Sequence, residues 1–516
     1  MSSPSEIDYA WTPTTATRWE RPLDEAEQFY TSLAKAHEAT GRVFFAMTGA
    51  ITCSLPIHGT DRAATERRMG DALRRAWLQL RYDHPTIAAR VEYALHQGRC
   101  KKVYETFSDA YTPADWLDET FRVVDAGVTG QEWCNSDPPV PDLPTLFLVK
   151  EGSGPHESEG RVRATVVLRA RHDIVDGVGT LMLFENLFRH AARAYETGPS
   201  GYTPPTFGGE WVNLSPPLRV AAGIPARLSS EQEARMREIL EFNAALKKEA
   251  VEIASVPFKR QASLPGRHQR VTITLSAEAT ARVLAACKAA ALSITHAYHA
   301  AIALGVRDLQ ERQPAARVVR YLNYSLINER GHCAAPYSTV AHPAAVYHSV
   351  SGRGLAVDLT VPASSDSVDP VSEETRSKEF MDTAGTIRDF YLDIRDDAEH
   401  INLVPSYWAM STIPYPADGK TPPVPPRNET PSVSISSMGV LDRVIRPNQG
   451  IFELDDPWVT GEELGTGLGL FLGTWKGKLT LSGAYNDAYH DKEEVLVFLR
   501  RCNQSTLQGL GIEQLD

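Results

Sequence analysis

The chain has 516 residues, with 53 Lys and Arg against 65 Asp and Glu, for a formal net charge of -12. Charged residues make up 23% and apolar residues 42%, which is a globular balance and not a disordered one. An acidic chain without a basic block is a poor partner for nucleic acid, whose phosphates need clustered Lys and Arg, and the length allows two to four domains.

Residues 1–21 are polar and lack the charged-then-apolar pattern of a signal peptide. No run reaches the roughly 18 apolar residues of a membrane span. The six cysteines, Cys53, Cys100, Cys134, Cys287, Cys333 and Cys502, are scattered without a CxxC pair, so reduced thiols in a cytoplasmic protein are expected.

In chain order, a helix is expected over residues 22–40 and a strand over 41–54. Met69, Leu73, Ala76, Trp77 and Leu80 recur at helical spacing, and that helix stops at His84-Pro85, because the residue before proline avoids the α region. Strands are predicted at 86–93, 101–107, 145–150 and 162–171, then a helix over 178–195. Residues 198–224 are rich in Pro and Gly and read as a linker. A charged helix at 229–253 follows, with Ser230 and Glu233 at capping-box spacing. Beyond it come a strand at 270–275, one long helix at 277–313, strands at 318–327, 344–348 and 355–360, and a helix at 373–396. Pro414 to Pro431 holds seven prolines and reads as an extended loop. Strands at 432–437, 469–475 and 478–485 and a helix at 491–507 close the chain. This alternation predicts an α/β fold in two layers.

Most motif searches are negative. There is no GxxxxGK[ST] phosphate loop and no GxSxG elbow. Gly465-Thr-Gly467-Leu-Gly469 lacks the third Rossmann glycine and reads as a turn. Ser32-Leu-Ala-Lys35 matches SxxK without its companion motifs. His332, Cys333, His342 and His348 fit no zinc spacing, and His296 and His299 read as ordinary helix residues, so no metal site is expected.

One motif stands out. His172-Asp-Ile-Val-Asp176-Gly177 follows a strand-like run and precedes an amphipathic helix. With 15 His in the chain, HxxxDG is expected by chance only about 0.06 times. A strand end puts His172 at the rim of a sheet, and Gly177 permits close approach. Leu181, Phe184, Leu187 and Phe188 fix the turn from behind. An imidazole there suits general-base work. The plain alternative is a turn whose Asp caps the helix and whose His is merely polar.

The run Arg169-Ala-Arg-His-Asp-Ile-Val-Asp-Gly-Val-Gly-Thr180 resembles the active-site motif of the acyltransferase superfamily that contains chloramphenicol acetyltransferase, plant BAHD enzymes and peptide-synthetase condensation domains. Residues 77–90 (WLQLRYDHPTIAAR), 325–330 (SLINER), 434–439 (SISSMG) and 485–491 (YNDAYHD) resemble further family segments, in order. Within the superfamily, the length and long inserts look most like fungal trichothecene 15-O-acetyltransferases. The resemblance implies two chloramphenicol-acetyltransferase-like subdomains, each a mixed sheet flanked by helices, with a tunnel at their interface. They would span residues 1–200 and 229–516, with 201–228 as linker and inserts at 151–161, 361–372 and 414–431.

The same resemblance implies acyl transfer from acetyl-CoA or another acyl-CoA to a small-molecule alcohol of secondary metabolism. His172 would be the base, Asp176, Gly177 and Arg330 structural residues, and Ser434, Ser436 or Ser437 the oxyanion donor. A monomer without metal is expected. CoA is polyanionic, so a local cation cluster is required, with Arg443, Arg446, Lys476 and Lys478 as contributors. Tyr407, Trp408 and Tyr415 are candidates for an apolar acceptor pocket. Two departures matter: Arg171 stands where condensation domains carry a first His, and the BAHD DFGWG motif is absent. A condensation-type enzyme using a carrier-bound acyl donor and a non-catalytic binding protein are the competing expectations.

Overall fold

The computed structural model describes residues 7–57, 61–94, 99–125, 127–151, 160–248, 251–259, 262–365, 373–416 and 422–513. The three expected inserts lie partly outside the described residues.

Two principal sheets organise the chain. The first has six strands in the order Asn448–Gln449, Phe452–Gly461, Met47–Pro56, Arg161–Ala170, Thr145–Lys150 and Phe121–Asp125. Alternation along Met47–Pro56 turns Ile51, Cys53 and Leu55 toward helices Arg62–Asp83 and Gly177–Gly201. Ala50 goes to the opposite face, against Trp133 and Trp458. Gly49 is needed because a Cβ there would collide with Thr180 and Phe184, so the helix after the HxxxDG motif rests directly on the strand backbone.

The second sheet orders His268–Thr274, Lys478–Asn486, Leu468–Trp475 and Val433–Val440. A smaller sheet, Leu355–Val361, Arg317–Asn323 and Glu252–Ile253, shares its core with helices Ile294–Asp308 and Lys492–Gly509. Phe452–Gly461 pairs antiparallel with Met47–Pro56, so a segment from beyond residue 229 completes the sheet otherwise built before residue 200. A third apolar cluster packs helix Glu25–His37 against Ser230–Lys248 and His400–Ser411. Among the described residues no single helix is long and apolar enough to cross a membrane.

Several expected elements shift. The long helix expected over 277–313 is two helices, Ala277–Ala289 and Ile294–Asp308, bent by 95°. Ala291 turns the chain there with φ of 53°. The charged helix is capped one residue earlier than expected: Ser229 Oγ accepts from Gln232 N at 3.2 Å, and Gln232 Oε1 accepts from Ser229 N at 2.9 Å. Part of the stretch expected as a strand at 86–93 is a 3₁₀ turn, Pro85–Ala88, before strand Arg90–Ala94. The strand expected at 344–348 begins only at His348, as His348–Val350.

Candidate active site

The motif loop leaves strand Arg161–Ala170 and enters helix Gly177–Gly201. Ile174 and Val175 anchor it in the core at 1% and 0% exposure. From below, the buried Lys102 ammonium donates to the Asp173 carbonyl oxygen and to Glu27 Oε1, the latter at 2.5 Å. Arg21 donates twice to the same Glu27 carboxylate, at 2.7 and 2.5 Å. A buried ion cluster thus fixes the backbone beside His172. Arg171 donates to Tyr93 Oη at 3.0 Å.

Asp176 is the hub of the loop. Its Oδ1 accepts from Gly179 N at 2.7 Å, capping the helix. Its Oδ2 accepts from Arg330 Nη1 and from Tyr347 N, both at 2.9 Å. Burial alone would raise its pKa, but Arg330 and His348 overcome that and hold the carboxyl well below the usual range. Gly179 is a second required glycine, because a Cβ would strike the Pro343 carbonyl oxygen. At Gly177 a Cβ would crowd Met438 at 3.2 Å, so the Ser-rich strand Val433–Val440 abuts the motif loop there.

His172 lines a cavity of about 560 Å³ that takes Val459 and Gly461 from the first sheet and Ser434 and Phe471 from the second. Tyr30 stacks on its imidazole, with centroids 3.8 Å apart and planes 8° from parallel. Tyr30 Oη lies 2.7 Å from His348 Nε2, and the His172 and His348 rings are 5.3 Å apart. Burial, then the neighbouring His348, push the His172 pKa down to about 3. The imidazole is therefore neutral at pH 7, with a lone pair available to accept a proton.

Ser434, Ser436 and Ser437 all line the cavity. Ser434 and Ser436 share one face of their strand, while Val433 and Ile435 turn into the core. Ser436 Oγ lies 3.5 Å from the Met438 sulfur. Ser437 Oγ accepts from Thr295 Oγ1 at 2.8 Å. Tyr407 and Trp408 also line the cavity, joined by Phe29 and Phe45. Tyr415 instead bonds the Thr31 hydroxyl at 2.8 Å.

The expected cation cluster is not at this wall. Arg446 pairs with Glu185 at 2.7 Å, and Lys476 stands 3.7 Å from Asp455. Arg443 is exposed, and neither it nor Lys478 lines the cavity. Among the described residues the cationic side chains that do are Lys247 and Arg330, and Arg330 is committed to Asp176. Ser32, fully buried, bonds the Phe29 carbonyl and Lys35 pairs with Glu38, so the two SxxK side chains are engaged in ordinary helix contacts and not with each other. His342 faces the Ser215 hydroxyl and His299 sits between Tyr321 and Tyr391. Among the described residues no three His, Cys, Asp or Glu converge in a metal-holding arrangement.

Sequence reasoning missed Tyr30 and gave His348 no role at the site. No local signal could have joined them, since 318 positions separate the two.

No family model matches the chain. The fold is the mixed α/β fold of the chloramphenicol-acetyltransferase and condensation-domain class. The TRI3 trichothecene 15-O-acetyltransferase of Fusarium sporotrichioides superposes with a TM-score of 0.75, at 17% identity over 97% of this chain and 98% of that one. The first condensation domain of the calcium-dependent antibiotic synthetase superposes with a TM-score of 0.57, at 13% identity over 95% and 96%. Within that class the chain is similar in sequence to fungal acetyltransferases. It is 26% identical to O-acetyltransferase pigM of Monascus ruber, over 96% of this chain and 87% of the relative. It is 24% identical to acetyltransferase pigO of the same organism, over 97% and 98%.

Proposed function

We propose that this chain is an acyl-CoA-dependent O-acyltransferase that places an acetyl group on a hydroxyl of a secondary metabolite. The observation that carries this reading is His172, neutral and held on the HxxxDG loop, in the wall of a cavity that Ser434 and Ser436 also line. The similarity to fungal acetyltransferases over nearly the whole chain supports it.

The alcohol proton passes to the His172 imidazole as its oxygen attacks the thioester carbonyl. Charge collects on the carbonyl oxygen, where a nearby donor lowers the barrier. We assign that donor to Ser436, because its hydroxyl neighbours Met438, which abuts the motif glycine. The tetrahedral intermediate then expels the CoA thiolate, which takes the proton back from His172. No covalent acyl-enzyme forms. Asp176 and Arg330 hold the loop and stay out of the chemistry. The aromatic end, with Phe29, Phe45 and Trp408, suits a bulky apolar acceptor. Residues 1–200 and 229–516 act in this reading as two subdomains joined through residues 201–228, with Phe452–Gly461 exchanged between them.

One observation favours a second reading, a carrier-protein-bound acyl donor. The cavity wall offers Lys247 alone as an uncommitted cation among the described residues, and the fold is also that of condensation domains. Purified protein is incubated with a panel of hydroxylated polyketide and terpenoid alcohols and either acetyl-CoA without carrier protein or an acetyl-loaded carrier protein. A mass gain of one acetyl group on an alcohol supports the CoA reading. Transfer only from a carrier-bound thioester replaces it with the second.

A further inference from the structure

The base of a hydrolytic triad is oriented by an acidic group on its second nitrogen. His172 has no such group. Its Nδ1 is buried with no hydrogen-bond partner on another described residue, and only the backbone of His172 itself supports it. Asp176, the motif's own carboxylate, is turned to Gly179, Tyr347 and Arg330. What meets the imidazole is the face of Tyr30, at 3.8 Å and nearly parallel.

Tyr30 is itself pinned. It sits on helix Glu25–His37, with Phe45 and Trp408 at its sides, centroids 6.3 and 5.8 Å away. Its hydroxyl meets His348 Nε2 at 2.7 Å. His348 opens strand His348–Val350 and pairs with Asn328, so it is fixed by a backbone ladder. Its other nitrogen, Nδ1, lies 3.8 Å from Asp176 Oδ2. A proton on Nδ1 is favoured there by the carboxylate, which leaves Nε2 to accept the Tyr30 proton. The contacts run from His172 through Tyr30 to His348, whose Nδ1 faces Asp176, four residues along the same loop, at 3.8 Å without a hydrogen bond.

We propose that His348 is a positioning residue of the acyl-transfer reaction: through the Tyr30 ring that it anchors, it fixes the plane of the His172 imidazole. The proposal rests on the reading of His172 as the base. Aromatic stacking here does what a carboxylate does in a triad. The titratable and charged groups facing the pair are Asp176 from the loop, Arg330 behind it, and Tyr324, which acts on Tyr30.

The test is ¹⁵N-imidazole NMR of the full chain, with His172 assigned by its loss in His172→Gln, beside steady-state kinetics with acetyl-CoA and the best alcohol of the panel. In the native chain His172 gives the shifts of one fixed neutral tautomer. In His348→Leu and Tyr30→Leu those shifts average. kcat falls on the order of 10- to 100-fold while KM for acetyl-CoA stays within about twofold. His348→Gln, whose carbonyl can accept the Tyr30 proton, restores most of kcat. Should Tyr30→Leu fail to fold, Tyr30→Phe keeps the ring and removes only the anchor, and it predicts the same shift averaging. Unchanged His172 shifts and kcat within about twofold of native in the His348→Leu and Tyr30→Phe chains overturn the proposal. A His172→Ala chain with native activity overturns instead the reading beneath it, and the two failures are distinct.

Discussion

The Asp176 carboxylate meets the Arg330 guanidinium at 2.9 Å, with both side chains at 4% exposure or less. The pair ties the HxxxDG loop to the short 3₁₀ turn Glu329–His332, 154 positions away. The same carboxylate also caps a helix and receives the Tyr347 amide, so these contacts hold the loop.

Asp176→Ala strands Arg330 as an unpaired buried charge and removes a helix cap. The expected cost is about 3–5 kcal/mol for the pair, with about 1 kcal/mol more for the cap. Chemical denaturation will show an earlier midpoint, and Asp176→Asn, which keeps the cap, will lose less. The Asp176 pKa lies below its unfolded value, so its contribution is present above about pH 4 and is lost as pH falls further.

Lys102→Met leaves Glu27 with one cation fewer and frees the Asp173 carbonyl oxygen, both in a dry site. A stability loss of about 3–5 kcal/mol is expected. Because the Asp173 backbone adjoins His172, kcat of the folded fraction should fall as well, on the order of 10-fold. Kinetics at a temperature where circular dichroism shows the variant fully folded separates the two effects.

The pH behaviour follows from buried histidines. His172, His268 and His299 are held near pKa 3, and His84 near 4, with burial as the first cause in each. Each binds its proton more weakly folded than unfolded. The unfolded chain therefore takes up protons first as pH falls below about 6.5. Each histidine should lower stability through that window by up to about 1.4 kcal/mol per pH unit, partly offset by the Asp24 and Glu463 carboxyls, which burial raises to about 7, and thermal melts from pH 8 to pH 4 will record the net loss. kcat/KM should show no acid limb near pH 6.5, because His172 stays neutral well below it.

The two walls of the cavity predict different kinetic signatures. Ser436→Ala should lower kcat by about 10²-fold with KM for acetyl-CoA little changed, as expected of a donor acting only in the transition state. Lys247→Glu should instead raise KM for acetyl-CoA several-fold at low salt, and less at high salt, with kcat retained.

Local patterns carried well in the sequence. The stripe through Met69, Leu73 and Trp77 gives helix Arg62–Asp83, which stops at the expected His84-Pro85. HxxxDG sits between a strand and a helix, as the local pattern predicts. Elements with mixed local signals were illegible. Pro405 lies inside helix His400–Ser411. Asp455, Asp456 and Pro457 interrupt strand Phe452–Gly461 at a bulge, yet its partner strand holds it in the first sheet. The Ala291 bend falls in Ala289-Ala-Ala-Leu292, a stretch without Gly or Pro to mark it. At the site, the motif and the Ser strand were legible because each is contiguous. The Tyr30–His348 contact was not, because only tertiary packing brings its halves together.

The central claim is that His172 is the base of acyl transfer, and one measurement tests it most directly. The initial rate of acetyl transfer from acetyl-CoA to the best alcohol of the panel is compared in the native chain and in His172→Ala, with folding checked by thermal melting. A loss of about 10²–10⁴-fold in kcat with the fold intact is the expected result. A folded His172→Ala chain that transfers acetyl at the native rate contradicts the account.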